Sequence, residues 1–165
     1  WIGSGTIAGI PTIVLIAIPA FLVAYVIQNY TILGRSIMAV GGGEMVAQRS
    51  GIRVDRVKIV TFAVAGFYSG LAGIVLASRM GAGSPTAGTG LELDVIAAVV
   101  IGGTPLAGGM GGVAGTVVGA LIIAILSNGL DLAGVSSYTQ LIVKGLVLVA
   151  AVIISIDRKK IGVIK

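Results

Sequence analysis

Long apolar segments alternate with short polar ones along the chain. Residues 7–27 carry no charged side chain, and residues 59–78 and 138–156 are nearly as apolar. A helix of about 20 such residues is long enough to cross a bilayer. We therefore expect three membrane-spanning helices here, the first with Pro11 and Pro19 inside it. Prolines are tolerated in a membrane helix when neighbouring groups satisfy the freed carbonyls.

Two further apolar segments follow one another in the middle of the chain. Residues 94–103 are too few to cross a bilayer alone, and residues 113–126 follow an uncharged, glycine-rich stretch. This pattern predicts either two short helices or a broken, partly re-entrant hairpin. Residues 80–93 and 127–137 are predicted to be outer loops. The fold class is accordingly all-α, a polytopic membrane helix bundle with about five crossings.

Composition supports a membrane protein and excludes several kinds of chemistry. The 165 residues are 56% hydrophobic and only 10% charged, whereas soluble domains have about 25% charged residues. The chain has no cysteine and no histidine, which removes thiolate chemistry, the usual general base and the commonest metal ligand. We expect no catalytic residue, no metal and no cofactor.

The net charge of +5 is explained by membrane topology rather than by nucleic acid. If the spans alternate, Arg79, Glu92, Asp94 and Asp131 fall on one side. Nine of the eleven basic residues fall on the other, which the positive-inside rule makes cytoplasmic, with the N-terminus outside and the C-terminus inside. These nine are Arg35, Arg49, Arg53, Arg56, Lys58, Arg158, Lys159, Lys160 and Lys165.

A short polar island, residues 41–51 (GGGEMVAQRSG), lies in the connection formed by residues 30–58. Three glycines interrupt what precedes it, and Gly51 is suited to the position after a helix C-cap. The island is predicted to be a cytoplasmic helix of about two turns. Glu44 near its start and Arg49 near its end complement the helix dipole.

The connection around the island is long for an inert linker, and a rigid small helix within it can transmit motion to the spans on either side. Asp55 is predicted to cap the next helix. Arg49, Arg53 and Arg56 have two interpretations: contact with an acidic partner surface, or topology and lipid headgroup contact.

Small residues recur every four positions in two of the predicted helices. In lipid this spacing allows close approach of helix backbones, and the alternative interpretation is a face that slides or hinges during transport. The residues are Ala65, Ser69, Gly73 and Ala77 in one helix, and Gly111, Gly115 and Gly119 in the other.

Lys144 is the only charge well inside an apolar span, on one helical face with Ser137 and Gln140. Such a charge usually faces the bundle interior or an aqueous path. Two interpretations stay open. Lys144 is an anchor that extends to the interface or pairs with Asp131 or Asp94, or it lines a solute path.

Two apparent motifs carry no chemistry in this context. Residues 109–114 match G-x-G-x-x-A after the strand-like run 97–101, but a nucleotide-binding βαβ unit is excluded by the scarcity of charge and by the apolar helix that follows. No P-loop motif is present. Glu92 and Asp94 lack a supporting base or metal ligand, so we expect Asp94 to cap a helix in a polar loop, with docking of a partner as the alternative.

Several segments resemble the permeases of ribose-type ABC sugar importers, over essentially the whole chain. The match is to the C-terminal half of such permeases, so the chain, which opens with Trp1, is expected to be a fragment of a longer one. The matching segments are residues 34–35 (GR), 43–44 (GE), 50–52 (SGI), 57–58 (VK), 84–104 (SPTAGTGLELDVIAAVVIGGT), 106–109 (LAGG), 128–130 (NGL) and 134–138 (GVSSY).

The resemblance implies a non-catalytic permease domain over residues 1–165, with residues 30–58 as its cytoplasmic coupling loop. It would form a homo- or heterodimer with a second permease subunit in the bacterial inner membrane. A cytoplasmic ATPase would drive it, and a periplasmic or tethered binding protein would deliver a monosaccharide such as ribose. The rival interpretations are a secondary transporter or channel without an ATPase, and a purely structural scaffold.

The resemblance also implies roles for particular residues. Compared with the wider "EAA…G" motif of importers, Glu44 fits, Met45 and Val46 replace two alanines, and Gly51 comes one position late. The residues expected to couple to the ATPase are Gly43, Glu44, Ala47, Arg49 and Gly51. Those expected to face the binding protein or line the path are Glu92, Asp94, Asn128, Asp131, Gln140 and Lys144.

Overall fold

The computed structural model describes residues 3, 5–7, 9–84, 86 and 88–161. Trp1, Pro85, Ala87 and Lys165, on which expectations fell above, lie outside this part of the chain. So do the side chains of three C-terminal basic residues, Arg158, Lys159 and Lys160.

The described residues form seven helices and one two-stranded ribbon. The chain divides into two compact units, residues 1–89 and 90–165. In order, the elements are β1 (Thr6–Ile7), β2 (Ile10–Pro11), α1 (Thr12–Tyr30), α2 (Ile32–Gly42), α3 (Glu44–Arg49), α4 (Val54–Met80), α5 (Leu91–Ile101), α6 (Val113–Leu132) and α7 (Ser137–Ile161).

The first apolar helix begins five residues later than predicted. Thr6–Ile7 and Ile10–Pro11 form the antiparallel ribbon instead, with Thr6 opposite Pro11. The backbone N–H and the hydroxyl of Thr12 both donate to the carbonyl oxygen of Gly5, at 3.0 and 2.8 Å, which closes a turn in front of α1. Pro11 therefore precedes the helix, where its missing N–H costs nothing, while Pro19 lies inside it as expected.

A helix that the sequence analysis missed fills the first part of the polar connection. α2 includes Gly41 and Gly42, so Gly43 alone separates it from α3. Thr31 caps α2 by accepting a hydrogen bond from the backbone N–H of Gly34 at 3.2 Å. Gly34 is buried, and a Cβ there would collide with backbone carbonyls at the end of α1. This tight packing against α1 explains why a glycine-containing segment is helical despite its low propensity.

α4 contains the predicted second span with a turn added before it. The helix begins at Val54, so Asp55 lies within the first turn and makes no capping hydrogen bond; the expectation that Asp55 is the cap was wrong. The Tyr68 hydroxyl donates to the carbonyl oxygen of Ala20 at 2.9 Å, which joins α4 to α1. Among the described residues nothing packs against Gly73, and no residue of α4 is buried, so close packing of this small-residue face stays a prediction.

In the second unit, residues 91–132 form two unequal helices around a glycine-rich loop. α5 has 11 residues and α6 has 20. The expectation of two short helices was therefore wrong for α6. The strand-like run 97–101 is helical. α6 continues to Leu132, which reduces the predicted loop 127–137 to residues 133–136.

α5 and α6 approach each other closely through glycine. A Cβ at Gly115 would collide with the carbonyl oxygen of Gly102, and a Cβ at Gly119 with that of Ala98. Close packing is thus confirmed for these two glycines, whereas Gly111 lies against the Thr104 side chain within the loop. The core of the unit sits at this contact and consists of Ala97, Ala98 and Ile123, with Ile101, Val147 and Leu148 packed around it.

Three helices in the described part of the chain are long and apolar enough to cross a membrane: α1, α4 and α6, each with a mean hydropathy of 2.0. Among the residues whose side chains are described, the apolar part of α7 covers Ser137–Ile153. The all-α membrane bundle is therefore confirmed, and the number of crossings stays a prediction.

The contact between α5 and α6 predicts different effects of two glycine-to-alanine substitutions. Gly119→Ala should cost about 1–3 kcal/mol, because the added methyl group overlaps a backbone carbonyl that cannot move independently. Gly129→Ala, in the same helix but in open space, should leave stability unchanged or slightly higher. The measurement is the apparent unfolding temperature of the protein in detergent. Equal unfolding temperatures for the two variants would contradict this packing.

Candidate functional site

The polar island forms a short helix with a defined end. α3 runs from Glu44 to Arg49, and Gly51 follows it with a φ of 84°, a conformation that glycine adopts at little cost. The backbone N–H of Gly51 donates to the Gln48 carbonyl at 3.0 Å, and that of Ile52 to the Ala47 carbonyl at 3.1 Å. These two bonds make a Schellman motif, so the predicted role of Gly51 in ending the helix is confirmed.

One side of α3 is anchored and the other is exposed. Ala47 is 3% exposed in the corner where α3 packs against α2 and α4. Met45 and Val46 are 67% and 70% exposed on a helix that is otherwise polar. Met45 and Val46 thus form an exposed apolar pair beside the polar side chains of Glu44, Gln48 and Arg49.

Glu44 and Lys58 form an ion pair that connects the start of α3 to α4. Both side chains are about half exposed, at 58% and 45%. Exposed pairs of this kind typically contribute less than about 1 kcal/mol, so the pair orients α3 more than it stabilises the fold. Arg49 lies in the last turn of α3, as the dipole argument predicted.

An open cleft of about 590 Å³ lies beside α3 at the start of α4. Its charges have both signs, which allows contact with a polar protein surface without a strong preference for acidic or basic groups. The lining residues are Glu44, Gln48, Gly51, Ile52, Arg53, Val54, Asp55 and Arg56.

A second polar group of side chains lies in the α5–α7 unit. The Lys144 ammonium donates to Asp94 Oδ2 at 2.8 Å, with the two side chains only 13% and 20% exposed. Of the partners considered for Lys144, the structure selects Asp94. Asp94 makes no capping hydrogen bond, so the prediction that it caps a helix was wrong: its carboxylate is held by α7 instead.

The other residues predicted to face a binding protein or line a path make separate contacts. The Gln140 amide donates to Asp131 Oδ1 at 2.8 Å and to the Val135 carbonyl at 2.9 Å, which closes the connection between α6 and α7. Glu92 accepts from the backbone N–H of Gly90 at 3.1 Å, and Asn128 is exposed. The six residues thus belong to two pairs, a local turn and an exposed amide.

Ser127 was missed by the sequence analysis. Its hydroxyl is buried and has no hydrogen-bond partner among the described residues, and the same holds for Asp94 Oδ1. The signal was present in the spacing, because Ser127 continues the four-residue series of Gly115 and Gly119. Among the described residues no group of three acidic side chains is placed to hold a metal ion.

These features define a multi-pass membrane protein of helical type, with a short polar helix between two of its apolar segments. The chain belongs to the family described as the permease component of the branched-chain amino acid transport system, whose profile matches residues 1–152.

Curated relatives are similar over almost the whole chain. It is 50% identical to the ribose import permease protein RbsC of Escherichia coli K12 over 97% of this chain and 49% of the relative. It is 49% identical to RbsC of Bacillus subtilis, over 96% and 48%. It is also 49% identical to the xylose transport system permease protein XylH of E. coli K12, over 87% and 37%. The chain thus spans about half the length of these relatives, and no solved structure is significantly similar to it.

The buried ion pair predicts a non-additive response to mutation. Lys144→Leu should destabilise the permease by about 3–5 kcal/mol, because it leaves the Asp94 carboxylate unpaired and largely buried. Asp94→Leu together with Lys144→Leu should recover most of that loss, since no charge then remains to be solvated. Apparent unfolding temperatures in detergent measure both.

Lys58→Leu is the matched control, because it breaks an exposed pair and should cost less than about 1 kcal/mol. A double variant that is less stable than Lys144→Leu alone would show that the two side chains do not act as a pair.

Proposed function

We propose that the chain is part of the membrane-spanning permease subunit of an ATP-driven importer of a monosaccharide such as ribose, and that α3 is the helix through which a cytoplasmic ATPase drives it. The observation that carries the proposal is the form of α3: one anchored residue, Ala47, beneath an exposed apolar pair, Met45 and Val46. The relatives named as ribose and xylose permeases support the solute class.

The structure of the island is suited to transmitting motion. α3 is fixed at its start by the Glu44–Lys58 pair and at its end by the Schellman motif at Gly51. Between these points Ala47 is buried on the side where α3 contacts α2 and α4. A displacement of α3 by a partner is therefore passed to α2 and α4 as a rigid-body movement.

The proposed coupling residues have different roles in this account. Gly43 and Gly51 bound the helix, Ala47 seats it, and Glu44 sets its orientation. Arg49 is exposed at the end of the helix, where it is free to contact either an acidic surface of the ATPase or lipid headgroups. The energy comes from ATP hydrolysis in the partner, so this chain performs no bond chemistry.

The remaining partners follow from the proposed topology. The exposed basic residues around α3 support a cytoplasmic position for this helix under the positive-inside rule. The proposal has the C-terminus on the same side and the protein in the bacterial inner membrane. Six polar residues of the second unit then face a sugar-binding protein or line the path. They are Glu92, Asp94, Asn128, Asp131, Gln140 and Lys144. A second permease subunit completes the path.

Reversing the polarity of the exposed face of α3 should uncouple the transporter. Met45→Asp with Val46→Asp is expected to reduce ATP-dependent uptake at least tenfold and to abolish co-purification of the ATPase, because a docking contact cannot bury two unpaired carboxylates. Both are measured with the full-length permease in proteoliposomes and in detergent.

Met45→Leu with Val46→Ile is the matched control, since it keeps the face apolar and should retain uptake. Normal co-purification of the ATPase with the aspartate variant would remove α3 from the contact.

The source of energy separates the proposal from a secondary transporter or channel. In proteoliposomes containing the permease, its ATPase and the binding protein, uptake of radiolabelled ribose should require ATP and should continue when ionophores collapse the ion gradients. Uptake that follows an ion gradient in the absence of the ATPase would overturn the importer assignment.

A further inference from the structure

The contact between α5 and α6 has a regular register, which continues towards Asp94 on α5 and Ser127 on α6. Gly102 of α5 lies against Gly115 of α6, and Ala98 lies against Gly119. Each step of four residues back along α5 is thus matched by four residues forward along α6. Continuing this antiparallel step places Asp94 level with Ile123, one helical turn before Ser127 of α6.

Asp94 and Ser127 therefore belong to the two ridges that face each other. Asp94 continues the series of Ala98 and Gly102 on α5, and Ser127 continues the series of Gly119 and Ile123 on α6. Because helical side chains lean towards the N-terminus of their own helix, Asp94 leans along α5 towards the level of Ser127.

Both side chains have a buried oxygen that makes no hydrogen bond to any described residue: Asp94 Oδ1 and Ser127 Oγ. The second carboxylate oxygen of Asp94 is occupied by Lys144 at 2.8 Å, so the lysine offsets the charge and leaves Oδ1 free to accept. A buried carboxylate oxygen without a donor is unfavourable, because it has lost its hydrogen bonds to water and gained none in return. Asp94 Oδ1 and Ser127 Oγ are thus two unsatisfied polar atoms on the facing ridges of one helix pair.

We infer that Asp94 and Ser127 form a subsite for one hydroxyl group in the α5–α6 interface. A hydroxyl donates its proton to Asp94 Oδ1 and accepts a proton from the Ser127 hydroxyl, which satisfies both atoms with one oxygen. Lys144 is a positioning residue that holds the carboxylate in place. The bound hydroxyl group belongs either to a monosaccharide or to a resident water molecule. Its assignment to a sugar rests on the proposed function.

The experiment uses the full-length permease in lipid nanodiscs, without the ATPase or the binding protein, so that it does not depend on coupled transport. Binding of radiolabelled D-ribose is measured by equilibrium dialysis, and the apparent unfolding temperature is measured with and without the sugar. A cryo-electron microscopy map of the same sample examines the space between Asp94 and Ser127. The variants are Ser127→Ala, which removes the hydroxyl, and Ser127→Thr, which keeps it.

If the source is a sugar, ribose binds and raises the unfolding temperature, and Ser127→Ala weakens binding about five- to tenfold while Ser127→Thr restores it. If the source is water, ribose has no effect, the map shows an ordered oxygen within hydrogen-bond distance of both residues, and Ser127→Ala lowers the unfolding temperature. Ser69→Ala, an exposed serine in α4, is the control and should leave ribose binding and the unfolding temperature unchanged.

The inference is overturned if Ser127→Ala has the unfolding temperature and the ribose binding of the unmodified protein and the map shows no ordered oxygen at this position. That result is distinct from failure of the proposed function, which would appear as a loss of ATP dependence in the uptake assay while ribose or water still occupied the subsite.

Discussion

Backbone N–H and C=O groups find no water inside a bilayer, so each apolar segment of this chain has to satisfy its own hydrogen bonds. Inside a helix the backbone N–H and C=O groups bond to each other, but the groups at the two helix ends lack such partners. α3, α5 and α6 all end in the same way, with a glycine at positive φ and two hydrogen bonds that return to the last turn. The three glycines are Gly51, Gly103 and Gly134. These turns let the chain reverse direction within a few residues, and they set where the polar groups lie.

The chain has few charged residues, so each buried or half-buried ion pair shows which helices depend on a charged contact for their position. The Asp94–Lys144 pair is mostly enclosed, and its energetic value lies in the penalty for breaking it rather than in net stabilisation. The pair ties α5, which is short, to α7. Glu44–Lys58 is exposed and contributes little free energy, yet it fixes the orientation of a helix of six residues. Both ion pairs therefore hold a short helix in position, the first while largely buried and the second while exposed.

Hydrophobic pattern and charge predicted the class of fold, the position of α3 and the close contact of Gly115 and Gly119, because each depends on local spacing. The errors arose where tertiary packing decided the outcome. α2 was missed because its glycines argue against a helix, and only the contact of Gly34 with the end of α1 compensates for them.

The same limit applies to the candidate site. Asp94 was predicted both as a helix cap and, with Asp131, as a candidate partner of Lys144. Spacing could not decide between these roles, because Lys144 is 50 positions away along the chain. Ser127 went unnoticed because the four-residue series was followed only through its glycines, and the series continues through Ile123 to a serine. The outward direction of Met45 and Val46 likewise depends on how Ala47 seats the helix, which spacing alone does not show.

The central claim is that α3 is a cytoplasmic contact for an ATPase, and the absence of cysteine in this chain makes it directly measurable. A single Val46→Cys substitution, in a full-length permease whose other cysteines are replaced, is treated with a membrane-impermeant maleimide in inverted and in right-side-out vesicles. The account predicts labelling in inverted vesicles only, and strong protection when the ATPase is bound. Labelling from the outer side, or equal labelling with and without the ATPase, would contradict it.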